Sequence, residues 1–420
     1  MKQHRILVLC VGALASVSVR AQTTTPPAPS TTTTTMTPPA SGTAAAAPAA
    51  APAAPAAPAG PTAMTTPSMS GPLAANGNPY HFTAGPLGTW YLTGAISGLG
   101  FIQDQHIPGD NSGQVDLDNA QIFLQKTDGV MQGFVQAGWY SLPDLGAGYI
   151  TSSHIWDDTF GPIPQAFVKI VPNGSFSVEA GKLPTLIGDE YTFSYENMNI
   201  FRGLLWNQEP AISRGIQGNY TQGPVTLALS WNDGFYSNKY SWISGSLVWT
   251  IDSADTLALV GAGNTATSHT NSFVTPILLN NEEIYNVIYT RTQGAWTFSP
   301  YFQYTSIPSE ASIGSLGSSS TTGVGLLVNY SFDAKGPLAG LSVPWRLEYI
   351  GSSGNNNLLY GPGSSAYSAT ITPTYQWNLF YVRAEFSLVQ LSSMTVGDGF
   401  GSAGTSAHQR RVALETGFLF

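Results

Sequence analysis

A strict alternation of apolar and polar residues, repeated from about residue 90 to the last residue, most constrains the fold of this chain. In 380–388 every second residue is apolar, and Arg383 and Glu385 lie among the residues between them. The final segment, 409–420, continues the same pattern. A period of two places successive side chains on opposite faces of a β-strand. We therefore expect strands with one apolar face and one face that carries ionic groups.

The composition favours a barrel in a membrane over a soluble sandwich. Only 9% of the residues are charged, against about a quarter in soluble domains. The chain is rich in glycine (45), and it has 19 Phe, 19 Tyr and 10 Trp, which suit strands, turns and a membrane interface. We therefore predict an all-β, transmembrane, antiparallel up-and-down β-barrel of an outer membrane.

The alternation and the turn residues predict about sixteen strands. Their limits are 89–97, 115–126, 131–142, 163–171, 175–183, 212–221, 224–232, 241–251, 255–263, 283–291, 295–305, 321–332, 342–350, 366–377, 379–390 and 409–420. Connections that follow even-numbered strands are mostly short, whereas those that follow odd-numbered strands are mostly long. Short turns at one end and long loops at the other are typical of outer-membrane barrels. On the apolar face, Trp296 and Tyr304 bracket one strand and Tyr367 and Trp377 another, as interfacial aromatic girdles would.

Two segments precede the predicted barrel, which covers 79–420. Residues 1–21 have a basic start and an apolar core, which predicts a cleaved secretory signal, although a retained anchor is the alternative. The one cysteine, Cys10, lies in that core in a poor context for lipidation. Residues 22–78 are rich in Thr, Ala and Pro and predict a disordered linker, either a periplasmic spacer or a tolerated tail. The net charge of −9 argues against nucleic-acid binding.

Parts of the chain resemble the OmpL-like β-barrel porin family of bacterial outer membranes. The resemblance rests on VDLDNAQIFLQK (115–126) and on a run in 163–232 that contains SVEAGKLPTLIGDE and FRGLLWNQEPAISRGIQGNY. It implies a monomeric or homo-oligomeric barrel in outer-membrane lipids. The terminal Phe420 resembles the C-terminal signal by which such barrels engage the assembly machinery.

A set of charged residues falls opposite the apolar face of its strands, and we expect it to line the pore because charge facing lipid is costly. The set is Lys169, Glu179, Arg346, Glu348, Arg383, Glu385, Arg411 and Glu415. The alternative is that Arg–Glu pairs brace a closed, plugged wall. Sixteen strands would leave a lumen too wide for side chains alone to fill.

The third long loop, 184–211, is a candidate constriction. It holds Asp189, Glu190 and Glu196. By resemblance of position to general diffusion porins, it would fold into the lumen and set its carboxylates across from the arginine wall. Lying over the rim is the equal alternative.

The sequence offers no support for catalysis, a metal site or a cofactor, because it lacks the known catalytic and phosphate-binding motifs. Two classes of function remain: a passive channel for small hydrophilic solutes or ions, and a closed structural or adhesive barrel. A polar, unpaired inner wall would favour the channel. Because the chain is acidic and its long loops carry most carboxylates, we expect weak cation selectivity.

Overall fold

The computed structural model describes residues 69–420. The predicted signal and the linker up to residue 68 lie outside the described residues. The described strands, in chain order, are β1 (Tyr80–Thr83), β2 (Thr89–Gln103), β3 (Gly113–Lys126), β4 (Met131–Tyr140), β5 (Gln165–Asn173), β6 (Phe176–Pro184), β7 (Ile212–Gln222), β8 (Val225–Asn232), β9 (Trp242–Thr250), β10 (Asp255–Asn264), β11 (Glu283–Gln293), β12 (Trp296–Ile307), β13 (Ser319–Ser331), β14 (Leu341–Ser353), β15 (Ser365–Ile371), β16 (Thr374–Trp377), β17 (Phe380–Ser392) and β18 (His408–Leu419).

The strands form one closed antiparallel barrel. Consecutive strands from β2 to β14 pair with each other, and β15 and β16 both lie between β14 and β17. β17 pairs with β18, which closes the ring on β2, with Leu414 opposite Gly100. The backbone of Phe420 continues this seam by exchanging hydrogen bonds with Gly94 at 2.9 and 3.0 Å. β1 is a short hairpin arm on β2, and β15 and β16 are two parts of one barrel strand, so the barrel has the predicted sixteen strands.

The alternation sorts side chains between the outside and the inside of the barrel as predicted. On β18, Val412, Leu414 and Phe418 are 43–54% exposed, whereas Arg411 and Glu415 between them are buried. Apolar side chains thus cover the outer face, and ionic side chains point into the lumen.

The structure departs from the predicted strands in three places. β2 continues to Gln103 rather than ending at residue 97, because its alternation persists through a glycine-containing stretch. The predicted strand 366–377 is interrupted at Thr372 and Pro373, since proline has no N–H to donate to the ladder. The short strand β1 was not predicted, because its four residues are too few for a periodic signal.

The connections differ at the two ends of the barrel. One end carries short turns, such as those at 174–175 and 223–224, and the other carries long loops. The helical segments lie almost entirely in those long loops. They are the helix Ile155–Asp158 and the 3-10 turns Gly85–Leu87, Ser152–His154, Ser194–Glu196, Trp206–Gln208, Leu279–Asn281 and Ala311–Ile313. No helix in the described part of the chain is long and apolar enough to cross a membrane.

Aromatic side chains lie on the outer face near both ends. Tyr367 and Trp377 are 52% and 64% exposed at opposite ends of the strand formed by β15 and β16. Trp296, near the short-turn end, lies 4.7 Å from Tyr330 between ring centroids. Their positions on the outer face are those expected of interfacial aromatics.

A segment just before the barrel, residues 69–78, enters the lumen instead of remaining free of contacts. The backbone N–H of Ser70 donates to the carbonyl of Glu196 at 2.8 Å, and Leu73 is buried. Ala74 exchanges two hydrogen bonds with the side chain of Gln376, at 2.7 and 2.9 Å. The composition predicts that these ten residues belong to the disordered linker. Met69 and Leu73 supply the apolar side chains with which this segment packs against the barrel.

Candidate functional site: the barrel lumen and its inserted loop

The long connection between β6 and β7, residues 185–211, folds into the barrel. We call it the lumen loop. Its apolar residues from Ile200 to Leu205 pack against the inner wall, where the absent side chain of Gly323 makes room for Leu205. Near its turn, the carboxylate of Glu196 accepts a hydrogen bond from the N–H of Phe193 at 2.9 Å. Of the two predicted positions, lumen or rim, the structure has the lumen.

Arg346 on β14 contacts the lumen loop directly. Its Nη1 lies 2.5 Å from Oε1 of Glu190, and its Nε lies 3.2 Å from Oε2 of Glu348. The same two carboxylates accept backbone hydrogen bonds from the loop, Glu190 from Gly203 at 2.7 Å and Glu348 from Leu205 at 3.2 Å. The loop is therefore docked on this part of the wall, and no open gap separates Glu190 from Arg346. The expected arrangement, with the loop carboxylates set across the lumen from the arginine wall, is therefore not found for this pair.

The remaining predicted charges on β17 and β18 also hold the loop. Arg383 donates through Nε to Glu415 at 2.9 Å and through Nη1 to the carbonyl of Asn197 at 3.0 Å. Glu385 accepts from the N–H of Ile200 at 2.6 Å. Both side chains of the Arg383–Glu415 pair are fully buried.

Arg411 is buried beside the same loop. Its guanidinium lies 4.1 Å from the ring centroid of Phe201 and donates to Oε1 of Gln103 at 2.7 Å. A cation over an aromatic face is favourable once water is excluded. Arg346, Arg383 and Arg411 thus all contact the lumen loop, which the alternation of apolar and polar residues could not predict.

Lys169 and Glu179 form a separate pair, 2.8 Å apart, on β5 and β6. Their side chains keep 21% and 12% of their exposure, so this pair faces a more open part of the lumen than Arg346 does. Asp189 of the lumen loop accepts from the hydroxyl of Ser299 at 2.5 Å, on the β12 wall.

Several buried polar residues that hold the loop were not predicted. Asp118 on β3 is fully buried and accepts hydrogen bonds from Ser194 of the loop and from Ser141, the latter at 2.5 Å. Arg202 pairs with Asp144 at 2.7 Å. Asp118 and Arg202 lie in two segments that carry the family resemblance, VDLDNAQIFLQK and FRGLLWNQEP. No local pattern predicts their contacts, because their partners lie far away in sequence.

Burial changes the titration of the carboxyl groups of the lumen loop. Burial raises the pKa of Asp189 to about 7 and that of Glu196 to about 8. In both cases removal of the charged form from water is the largest cause. The loop is therefore docked with carboxyl groups that favour the neutral form.

The described residues contain no cluster of three or more His, Cys, Asp or Glu side chains placed to hold a metal ion. The lumen loop instead leaves a cavity of about 380 Å³ above it, toward the long-loop end. It is lined by residues of the lumen loop and of four other segments near that end, among them Trp206, Phe235 and Tyr360.

A closed sixteen-stranded barrel with short turns at one end, long loops at the other and an inserted third long loop defines the class of outer-membrane porin-type barrels. The family model described as putative beta-barrel porin-2, OmpL-like, matches residues 91–420. The chain belongs to this family, which confirms the resemblance noted in its sequence, and family and fold indicate the bacterial outer membrane.

Solved structures agree on the fold. The anion-selective porin from Comamonas acidovorans has a TM-score of 0.54 at 9% identity, covering 79% of this chain and 99% of that chain. OmpF of Salmonella typhi, in complex with daunomycin, has 0.54 at 12% identity, covering 79% and 98%. In vitro folded OmpT of Vibrio cholerae, in a trimer form, has 0.53 at 9% identity, covering 79% and 99%. Identities this low show the fold alone. No curated protein matches the chain.

Proposed function

We propose that this protein is a porin-type channel for passive diffusion of small hydrophilic solutes and ions, narrowed by the lumen loop. The observation that carries the proposal is the polarity of the inner wall. Side-chain oxygens of Gln125, Gln136, Gln165, Ser246 and Asn329 are buried without a hydrogen-bond partner in the described part of the chain. Buried polar groups are nearly always paired with protein or water, so such a wall is suited to water rather than to a dry core.

We further propose weak cation selectivity. The long loops carry exposed carboxylates at the mouth of the barrel, among them Asp157, Asp158 and Asp398, and the predicted inner-wall set holds four acids and four bases. Rings of one charge sign favour ions of the opposite sign in a pore. The arginines oppose this preference, which keeps it weak.

A closed barrel is the second candidate, and a specific observation favours it. Arg346 and Arg383 have no solvent-exposed surface, and residues 70 and 71 hydrogen-bond to Glu196 of the lumen loop. A barrel in which this loop always stays docked would be closed to solutes and would serve a structural or adhesive role.

Single-channel recording of the purified protein in planar bilayers tests these proposals. We expect stepwise conductance with a reversal potential that indicates a slight cation preference at low salt. This preference should fade at 1 M salt, where the Debye length is about 3 Å. Absence of steps in protein that migrates as a folded barrel on gels would favour the closed structure.

The remaining assignments of the chain belong to the same proposal. Cleavage after residue 21 would release the mature protein, and the linker would lie in the periplasm. Phe420, at the barrel seam, would engage the assembly machinery, and lipids would surround the outer face. The trimer form of the structurally similar Vibrio cholerae OmpT supports a homo-oligomer as a proposal.

A further inference from the structure

The outer face of the barrel carries two basic side chains next to each other at the long-loop end. Lys182 on β6 and Arg214 on β7 are directly opposite in the strand pair, close to where these strands join the lumen loop. Alternation places them on the outer face, because Ile216, two residues after Arg214, is 49% exposed there, whereas its neighbour Gln217 is buried. Basic groups on this face are costly in hydrocarbon and far less so near the headgroups.

The strand register shows the level of this basic pair on the outer face. One step closer to the middle of the barrel, an outward row across β5 to β8 consists of Val168, Ala180, Ile216 and Trp231. Apart from the small Ala180, these side chains are 49–53% exposed. The basic pair lies two residues further toward the long loops, a rise of about 7 Å. Because tryptophan on a lipid-facing surface is typical of the interface, the pair lies at the level of the headgroups.

A groove on the outer face lies beside the basic pair. Its apolar lining comes from Ile163, Ile216, Trp231 and Tyr240, and its volume is about 680 Å³. Gly181 and Gly215, which are opposite each other in the strand pair, also line it. A Cβ atom at either glycine would lie 2.2 to 2.3 Å from a backbone carbonyl oxygen of the next strand, so no side chain can fill this part of the groove.

The two basic groups of the groove converge and are not neutralised. Lys182 and Arg214 both belong to its lining, which contains no acidic residue among residues 69–420. The ring centroid of Tyr236 lies 5.4 Å from Nζ of Lys182 and 3.9 Å from the guanidinium carbon of Arg214. Arg214 pairs with Asp233 at 2.7 Å, whereas Lys182 has no carboxylate partner in the described part of the chain. One positive charge therefore remains.

Both groups also retain donors for a ligand. Nζ of Lys182 donates to two backbone carbonyls, at 2.8 and 3.1 Å, which leaves one of its three N–H groups. Arg214 donates through Nε to Asp233 and through Nη2 to the carbonyl of Tyr236, and its Nη1 has no acceptor among the described residues. The side chain of Arg214 is 26% exposed, so a ligand can reach it from outside.

We propose that this surface binds a phosphorylated and acylated glycolipid of the lipid A type, with a phosphate on Lys182 and Arg214 and an acyl chain in the groove. The long loops of such barrels lie at the cell surface, so the groove faces the outer leaflet, which is built from this class of lipid. A phosphate monoester carries a charge of about −1.5 to −2 and matches the donors of an arginine. The inference rests on the outer-membrane location and is independent of the channel proposal.

Native mass spectrometry of the purified full-length barrel in detergent tests the phosphate contact. The two probes are lipid A and the same lipid after removal of its phosphates. We expect lipid A to bind at least about tenfold more tightly, because the phosphate-free lipid loses hydrogen bonds between charged groups. Lys182→Gln retains a donor for the two carbonyls and should weaken the binding of lipid A about fivefold.

The matched control variant is Arg291→Gln. Arg291 also pairs with an aspartate, Asp255 at 3.0 Å, and is 41% exposed, but it lies at the short-turn end. It should bind lipid A as the unaltered protein does. Equal affinity of lipid A and its phosphate-free form, or equal losses in Lys182→Gln and Arg291→Gln, would overturn the site.

A second variant tests the groove without changing the charges. Ala166 lines the groove and is opposite Lys182, so Ala166→Trp should fill the groove and weaken the binding of lipid A with and without phosphates. Unchanged binding in this variant would exclude the groove as the site of the acyl chain. Phosphatidylglycerol, whose phosphate diester carries a single charge, should bind less tightly than lipid A. Equal or tighter binding of phosphatidylglycerol would overturn the assignment to a glycolipid.

Discussion

At the level of single residues, Arg346 shows how the lumen is held together. Its guanidinium lies between Glu190 of the lumen loop and Glu348 of its own strand. Alternation predicted that Arg346 and Glu348 point inward, and they do. It did not predict their complete burial, because that depends on a loop more than 140 residues away in sequence. The pore-lining role assigned to these side chains stays a prediction.

Glu190→Gln tests this ion pair. The substitution keeps the shape of the side chain but removes the charge beside Arg346, which retains Glu348. We expect the free energy that holds the loop on the barrel wall to fall by about 1.5 to 3 kcal/mol, which is the range for hydrogen bonds to charged groups. The folded band on SDS gels should convert to the unfolded one at a lower temperature. Asp333→Asn, an exposed change in a short turn, is the matched control, and equal temperatures for the two variants would contradict the prediction.

At the level of elements, the lumen loop should respond to pH. The docked loop raises the pKa of Asp189 from an ordinary 3.8 to about 7 and that of Glu196 from 4.5 to about 8. A raised pKa means that the docked form holds more protons than the undocked form. The contribution of these two carboxyl groups to docking is therefore complete below about pH 4, and it declines as the pH rises through 7 to 8.

Hydrogen exchange can follow this effect. Peptides from 185–211 should have lower protection factors at pH 8.5 than at pH 5.5, whereas peptides from β18 should change little. The double variant Asp189→Asn with Glu196→Gln should flatten the dependence. A loop with equal protection at both pH values would show that these carboxyl groups do not control docking.

The last strand should be essential for assembly. β18 closes the barrel on β2, and an open edge in lipid leaves backbone groups unsatisfied at several kcal/mol each. Deleting 409–420, or changing Phe420→Asp, should abolish membrane insertion, as judged by fractionation of cell envelopes. Phe420→Tyr retains the aromatic ring and is the control. Normal membrane abundance of the deleted protein would contradict the closed ring.

The strands and the loop differ in how far the sequence could predict them. Each strand carries its own evidence, since alternation and turn residues are local, and this gave the strand number and the facing of Arg383 and Glu415. The path of the lumen loop depends on distant partners, such as Asp118 and Gly323, that no local pattern marks. Residues 69–78 were assigned to the linker because their composition resembles it, although Leu73 is buried.

At the level of the whole molecule, the described part of the N-terminal segment contacts both the lumen loop and the barrel wall. Residues 70 and 71 hydrogen-bond to Glu196 of the lumen loop, and Ala74 to Gln376 near the short-turn end. Deleting 69–76 should therefore raise single-channel conductance, because the lumen loop loses its hydrogen bonds to residues 70 and 71. Deleting 24–68 removes none of the described contacts and should leave conductance unchanged.

A disulfide provides a reversible version of that experiment. Cys10 is the one cysteine of the chain and lies in the predicted signal, so Ala74→Cys with Gln376→Cys should form a pair free of competitors. Oxidation should hold the segment in place and keep conductance at or below that of the unaltered protein, and reduction should release this restraint and raise conductance above that of the oxidised form. If the oxidised double-cysteine variant and the variant without residues 69–76 had the same conductance, the N-terminal segment would have no role in closing the lumen.

The position of Met69 also decides from where the rest of the N-terminal chain departs. Met69 packs against the buried cluster that also contains Leu73, and the next residue, Ser70, hydrogen-bonds to Glu196 of the lumen loop. The residues before Met69 would reach either the periplasm or the cell surface, and the choice gives the protein a sidedness. A return through the short-turn end would leave the N-terminus in the periplasm, whereas passage beyond the loop would thread it to the cell surface. Fully extended, the 47 residues from 22 to 68 reach at most roughly 170 Å, ample for either route. An epitope tag after residue 22, probed on intact cells, would tell which compartment the thread enters.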